Sequence, residues 1–273
     1  MKLAVQQTLV PGESLVEKFE RAVDYGFDGV ELAAWGFDGP MFEAQDEIET
    51  ALAAVDLQVS TLCTMGGDDF VHPDPAEREK RLAGLVRMLK LADALGAGGV
   101  VALPIRPPVH LPDLSPVADE GALITALAKS TLERALRQTP GGSATIFLEP
   151  LNRYEAYYLR TLSDAAVLCD AVERERVRVM GDFFHMNIEE ASMPTAVKRH
   201  AEYLGHIHLA DSNRLLPGHG HLDFVSAFGA LQEIDYGGWM ALECGVPGDP
   251  DETLPQAVAF LKERWEEAGS LTR

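Results

Sequence analysis

Short aliphatic runs alternate with longer stretches of helical period along the whole chain. KLAVQ (2–6) reads as a strand. A helix over 14–25 follows it, with Leu15, Phe19, Ala22 and Val23 on one face and Gly26 as its stop. GVEL (29–32), a helix over 41–54 and LQVSTL (57–62) continue the rhythm. Residues 76–95 carry the clearest amphipathic pattern, with Leu82, Leu85, Val86, Leu89 and Ala92 at three- and four-residue steps. Gly96 closes that helix, and GGVVAL (98–103) is the fourth strand. IRPPVHLPDLSP (105–116) is too rich in proline for either element and reads as a long loop. The second half predicts a helix over 117–138, ATIFL (144–148), a helix over 162–173, VRVMG (177–181) and a helix over 193–202. LGHI (204–207), a helix over 222–233, WMAL (239–242) and a helix over 251–267 complete it.

Eight strands, each followed by a helix, with a mean repeat of about 34 residues and no linker-like tract, predict one (β/α)8 TIM barrel domain over 1–273. A doubly wound parallel sheet is the competing arrangement of the same elements.

Composition changes this picture little, but charge does. The chain has 43 acidic against 23 basic residues, a net charge of −20. Such a surface repels phosphate backbones and anionic lipid, so neither nucleic acid nor membrane is expected as a partner. Cys63, Cys169 and Cys244 are odd in number and show no CxxC spacing, which argues against a disulfide framework or a zinc knuckle. The first residues lack the pattern of a signal peptide, and no run of 18 apolar residues occurs. A soluble, cytoplasmic protein is the expectation.

In a barrel, side chains just past the C-terminal strand ends converge on one mouth. The residues after the last four strands are Glu149, Asp182, His208 and Glu243, separated by 33, 26 and 35 residues. Two carboxylates ~5 Å apart repel by roughly 3 kcal/mol at an effective dielectric of 20, and a divalent cation removes that cost. The donor set is rich in oxygen, holds one imidazole and no thiolate, and suits Mn²⁺, Mg²⁺ or Co²⁺ better than structural zinc. Read singly, each carboxylate could equally cap a helix or pair with arginine. His206 shares a strand face with His208 and is read as a supporting or packing group, with a ligand role left open. Cys63 and Cys244 read as small wall residues. TMGGDDF (64–70) lacks a P-loop lysine, so phosphate binding there is rejected. Trp35, Phe37 and Phe70 fall in first-half loops, where substrate wall, core packing and subunit contact are all open readings.

LEPLNRYE (148–155), GDFFHMNIEE (181–190), HIHLADSNRLLPGHGHLDF (206–224) and ALEC (241–244) resemble the sugar isomerase/epimerase family with the xylose-isomerase-like barrel. Within it the likeness is to ketose 3-epimerases of the D-tagatose/D-psicose type. The motifs span roughly the last 125 residues, while GFDGVEL (26–32) and HPDPAER (72–78) match more loosely. The resemblance implies that Glu149, Asp182, His208 and Glu243 bind one divalent metal, with Mn²⁺ preferred over Mg²⁺ or Co²⁺. It implies that Glu149 and Glu243 are also the acid/base pair, that Glu155, His185 and Arg214 hold the sugar's oxygens, and that the chain forms a dimer or tetramer.

The implied chemistry is epimerisation of a ketose or keto sugar acid at C3, by removal and return of a proton through a metal-stabilised enediolate. A 1,2 aldose–ketose or inosose isomerase would use the same metal site. A metal-dependent endonuclease for abasic DNA shares the fold but calls for a basic surface and more histidine ligands. For Arg214, pairing with Asp211 is the alternative to sugar contact, and Asn152 and Asn187 read as hydrogen-bonding loop residues.

Overall fold

The computed structural model describes residues 1–64, 71–102, 111–112, 114–172 and 175–271. Eight strands form as expected: β1 (Lys2–Gln6), β2 (Gly29–Ala33), β3 (Gln58–Cys63), β4 (Gly99–Ala102), β5 (Thr145–Leu148), β6 (Val177–Asp182), β7 (Leu204–Leu209) and β8 (Trp239–Leu242). They pair in chain order and in parallel, and β8 closes on β1 from Lys2↔Trp239 to Val5↔Leu242. An open doubly wound sheet would leave two unpaired edges, so closure decides for the (β/α)8 barrel.

The helices are α1 (Leu15–Asp24), α2 (Gln45–Ala54), α3 (Pro75–Leu95), α4 (Glu120–Arg137), α5 (Leu162–Asp170), α6 (Phe183–Glu189), α7 (Met193–Arg199), α8 (Phe224–Glu233) and α9 (Pro250–Leu271). Their starts are set by side-chain caps. Ser14 accepts from the Glu17 N–H at 3.2 Å, Asp119 accepts from that of Ala122 at 2.7 Å, and Thr161 with Asp164 closes a reciprocal capping box. Gly96, at φ +66°, ends α3 in the left-handed conformation that glycine adopts without strain.

Three departures from the sequence pattern have local causes. The helix expected over 41–54 splits into a 3-10 turn, Met41–Glu43, and α2, because Met41 turns inward and is buried. The helix expected from 117 begins at Glu120, since Asp119 is its cap. Helix α6 has only 7 residues, too few to show a period, and starts directly on Asp182 at the end of β6. It carries Asn187, expected in a loop. Residues 65–70, including Phe70, and residues 103–110 and 113 of the proline-rich segment lie outside the described residues. Among the described residues no helix is long and apolar enough to cross a membrane.

Alternation along each strand sorts the side chains. Leu3, Val5, Val30, Leu32, Ile146, Leu148, Ile207, Leu209, Met240 and Leu242 belong to the main core, in which the helices bury their apolar faces. The residues of opposite parity point into the barrel. There Cys63, Val101, Phe147 and Met180 make a small apolar cluster. Gln6, Glu31, Thr61, His206 and His208 share that interior and are buried too. A filled interior leaves the polar chemistry at the mouth.

Candidate metal centre

Glu149, Asp182, His208 and Glu243 come together: one donor atom from each lies within 4.8 Å of the others. His208 Nδ1 is 3.0 Å from Glu243 Oε2, 3.7 Å from Glu149 Oε1 and 3.8 Å from Asp182 Oδ2. Glu149 Oε1 and His208 Nδ1 are buried, yet neither makes an aligned hydrogen bond. Two ligands ~2.1–2.4 Å from one ion stand at most about 4.8 Å apart, so this donor set fits a single divalent cation.

The second nitrogen of His208 explains the ring's orientation. Nε2 lies 3.0 Å from Glu31, so its proton is committed there and Nδ1 is left to face the carboxylates. Glu31, in the middle of β2 and fully buried, also accepts from His206 Nε2 at 3.0 Å, from Gln6 Nε2 at 2.9 Å and from the Thr61 hydroxyl. Gln6 Nε2 in turn reaches Glu243 Oε1 at 3.0 Å. His206 thus shares the Glu31 carboxylate with His208. Glu31, Gln6 and Thr61 were not singled out from sequence. The signal that could have found them is an acidic residue inside GVELA, a strand buried along its whole length.

The electrostatics follow this wiring. Burial alone would raise Glu31, but the His208 and His206 rings hold it well below the usual carboxylate range. Burial would lower His208, and the carboxylates of Glu31, Glu243 and Glu149 instead push it well above the ordinary imidazole value. Glu149 is raised, chiefly by burial. Glu243 is only partly exposed, but His208 and Arg214 outweigh the cost of desolvation and hold it far below its ordinary value. His206 is lowered by burial and stays neutral. The two carboxylates expected to share the chemistry thus sit in unlike surroundings.

The residues expected to touch a sugar divide. His185, in the first turn of α6, is buried, with Nε2 3.8 Å from Asp182 Oδ2 and 4.0 Å from Glu149 Oε1. Its Nδ1 accepts from the Asn152 backbone N–H at 3.2 Å and lies 2.8 Å from Asn152 Nδ2. The ring proton is therefore on Nε2, aimed at the cluster. Asn152, read as a loop residue, is buried and fixes this tautomer. Arg214 pairs with Asp182 and Glu243 and lies over the Phe184 ring, 5.0 Å from its centroid. Its guanidinium does not pair with Asp211. Glu155 is exposed and accepts from Asn152 Nδ2 at 2.9 Å.

Cys63 Sγ is 4.0 Å from Glu243 Oε1, and burial with the surrounding carboxylates pushes its thiol well up. Burial pushes Cys244 up to about 12. Both stay protonated, as wall residues would.

The model of the xylose isomerase-like TIM barrel family matches residues 19–264. Over 270 residues, 96% of this chain and 99% of the relative, the chain is 33% identical to a 3-dehydro-D-guloside 4-epimerase of Escherichia coli K12. Over 96 residues, 35% of this chain and 32% of the relative, it is 43% identical to a D-psicose 3-epimerase of Enterocloster bolteae. Among solved structures, apo 3-keto-D-glucoside 4-epimerase from E. coli superposes with a TM-score of 0.82 at 29% identity, covering 96% of this chain and 99% of the other.

Proposed function

The chain belongs to the xylose isomerase-like TIM barrel family and is a metal-dependent sugar epimerase or isomerase of it; we propose that it inverts a carbon beside a ketone, in the first instance C3 of a free ketose or keto sugar acid. The observation that carries this reading is the convergence of Glu149, from the end of β5, and Glu243, from the end of β8, on Asp182 and His208. Inversion needs a group that takes a proton from one face of a carbon and a second that returns one to the other face. Carboxylates from β5 and β8 supply such a pair.

Glu149, Asp182, His208 and Glu243 would hold the ion, and Mn²⁺ is our assignment, with Mg²⁺ and Co²⁺ as alternatives. When bound, the ion supplies Lewis acidity that makes the C–H beside the carbonyl acidic enough to lose its proton. One glutamate takes that proton, leaving a planar enediolate, and the other delivers a proton to the opposite face. In the reverse reaction the two exchange roles. Asp182 and His208 stay fixed, His208 by its bond to Glu31. His185 Nε2–H and the Arg214 guanidinium are donors toward the sugar's oxygens. Glu155 is assigned to the same sugar-holding set, in contact with Asn152.

A second reading has the same chemistry one carbon along: inversion at C4 beside a C3 ketone of a keto-glycoside. The full-length likeness to a 3-dehydro-D-guloside 4-epimerase favours it. Incubation in D₂O with D-fructose, with L-ribulose and with methyl 3-keto-glucoside, each with Mn²⁺, separates the two. Deuterium at C3 of a ketose supports the first, deuterium at C4 of the glycoside the second, and deuterium at C1 or C2 a 1,2 isomerase. No exchange in any of them overturns the proposal. Light scattering tests the dimer or tetramer that we propose for the assembly.

A further inference from the structure

Arg214 reaches the metal centre from an unusual backbone. Its φ of +62° lies in the left-handed region, which an arginine adopts only when its surroundings impose it. Those surroundings centre on Asp211, whose carboxylate is buried. Oδ1 accepts the backbone N–H groups of Ser212 at 2.7 Å and Leu222 at 3.1 Å, and Oδ2 accepts that of Gly218 at 2.9 Å. One side chain thus ties both ends of the 211–222 loop together. The backbone completes the turn: Arg214 N–H donates to Asp211 O at 2.9 Å, and Asp211 N–H to Leu215 O at 2.9 Å. Beyond β8, Gly245 N–H donates to Arg214 O at 2.7 Å and fastens the turn to the segment that carries Glu243.

Gly220 is part of the same device. A Cβ there would stand 2.2 Å from Asp211 Oδ1 and 2.5 Å from Ser212 Oγ, so the loop closes on the carboxylate only because that position has no side chain.

We propose that Asp211 is the positioning residue of the site: by gathering three backbone N–H groups it holds the 211–222 loop in the one conformation that lays the Arg214 guanidinium across Asp182 and Glu243. Its value to turnover rests on the reading of Arg214 as a sugar-holding residue, while its effect on where Arg214 lies does not. Asn at 211 would keep one acceptor and turn the other into a donor facing an N–H, so Asp211→Asn loosens the loop with little change in volume.

The direct test is an arginine-selective ¹⁵N spectrum of the full chain, with the Arg214 Nε–H signal identified by its absence from Arg214→Lys. In Asp211→Asn that signal should broaden or move to the position of a solvated arginine. The signals of Arg176 and Arg178, whose guanidinium groups bond backbone carbonyls elsewhere in the barrel, should stay in place. An unchanged Arg214 signal, or an equal change in all three, overturns the proposal. Should Asp211→Asn fail to fold, Gly220→Ala displaces the same carboxylate without removing it and should move the same signal. Exchange of solvent deuterium into the sugars named above supplies the functional arm. Asp211→Asn should slow exchange by up to ~100-fold, the scale of a displaced positioning group, and should add nothing in an Arg214→Met background. A wild-type rate in Arg214→Met would remove the sugar-holding reading and leave the positional result standing. Additive losses would show that Asp211 serves the fold rather than Arg214.

Discussion

At or just past the C-terminal ends of β5 to β8, Glu149, Asp182, His208 and Glu243 converge at the barrel mouth, whereas from β1 and β2 Gln6 bonds Glu243 and Glu31 bonds His208, with Thr61 of β3 bonded to Glu31 behind them. The first group leaves Glu149 Oε1 and His208 Nδ1 without an aligned hydrogen bond. In the second group, Glu31 accepts four hydrogen bonds, from Gln6, Thr61, His206 and His208. One half of the mouth is thus open at Glu149 and His208, with Arg214 across Asp182 and Glu243, and the other is closed around Glu31, which holds His208 in place. Buried charge is tolerable in either form, but for different reasons: a cation must complete the open half, while internal partners already complete the closed half.

The sharpest way to break this comparison is to exchange single oxygens. Glu149→Gln and Glu243→Gln should each lower deuterium exchange by ~10²–10⁴-fold with an unchanged circular dichroism spectrum. A variant that keeps its rate removes that glutamate from the chemistry. Chelation comes next. Stripping divalent ions should abolish exchange, and restoring Mn²⁺ at about a hundred times its dissociation constant should raise the melting temperature by roughly 5–10 °C. A melting curve indifferent to Mn²⁺ would mean that the open half binds no ion.

Glu31→Gln probes the closed half. It should weaken Mn²⁺ binding by ~10–100-fold in calorimetry, because one oxygen becomes an N–H donor among four donors and the negative charge that orients the His208 ring is lost, while one ion per chain is still bound. An unaltered affinity would reduce Glu31 to a packing group.

Smaller effects are expected outside the cluster. Backbone N–H groups overcome the cost of burial and hold Asp211 below its ordinary value. A depressed carboxylate contributes stability above its unfolded pKa of about 3.9 and loses it as pH falls through the folded value. The gap in melting temperature between wild type and Asp211→Asn should thus be full at pH 6 and shrink toward pH 3. Least of all, Cys63 and Cys244 should resist iodoacetamide at pH 8 in the folded protein, since both thiols are protonated there.

Much of the open half was legible in the chain. Glu149, Asp182, His208 and Glu243 each follow an apolar run at the spacing of a βα unit, and a strand end is a position that sequence marks well. The closed half was not. Glu31 sits inside its strand, where alternation shows only that it shares a face with Ala33, and Gln6 looks like any polar strand terminus. Helix α6 was equally hidden, so the aim of His185 and the place of Phe184 under Arg214 could not be foreseen. For Arg214 the pairing with Asp211 that the sequence left open does not form. Its guanidinium bonds Asp182 and Glu243, and Asp211 bonds the loop's own backbone.

By itself the sequence determined the periodicities, the eight βα repeats and the four polar groups at consecutive strand ends, because each depends on residues close together in the chain. Closure of β8 on β1, the ring orientation of His208, the tautomer of His185 and the grip of Asp211 on its loop were decided by tertiary structure alone. Each rests on hydrogen bonds whose partners are set by where the barrel brings distant backbone and side chains, as with Glu31 and His208 across 177 residues of chain. Local pattern carries no record of such a distance.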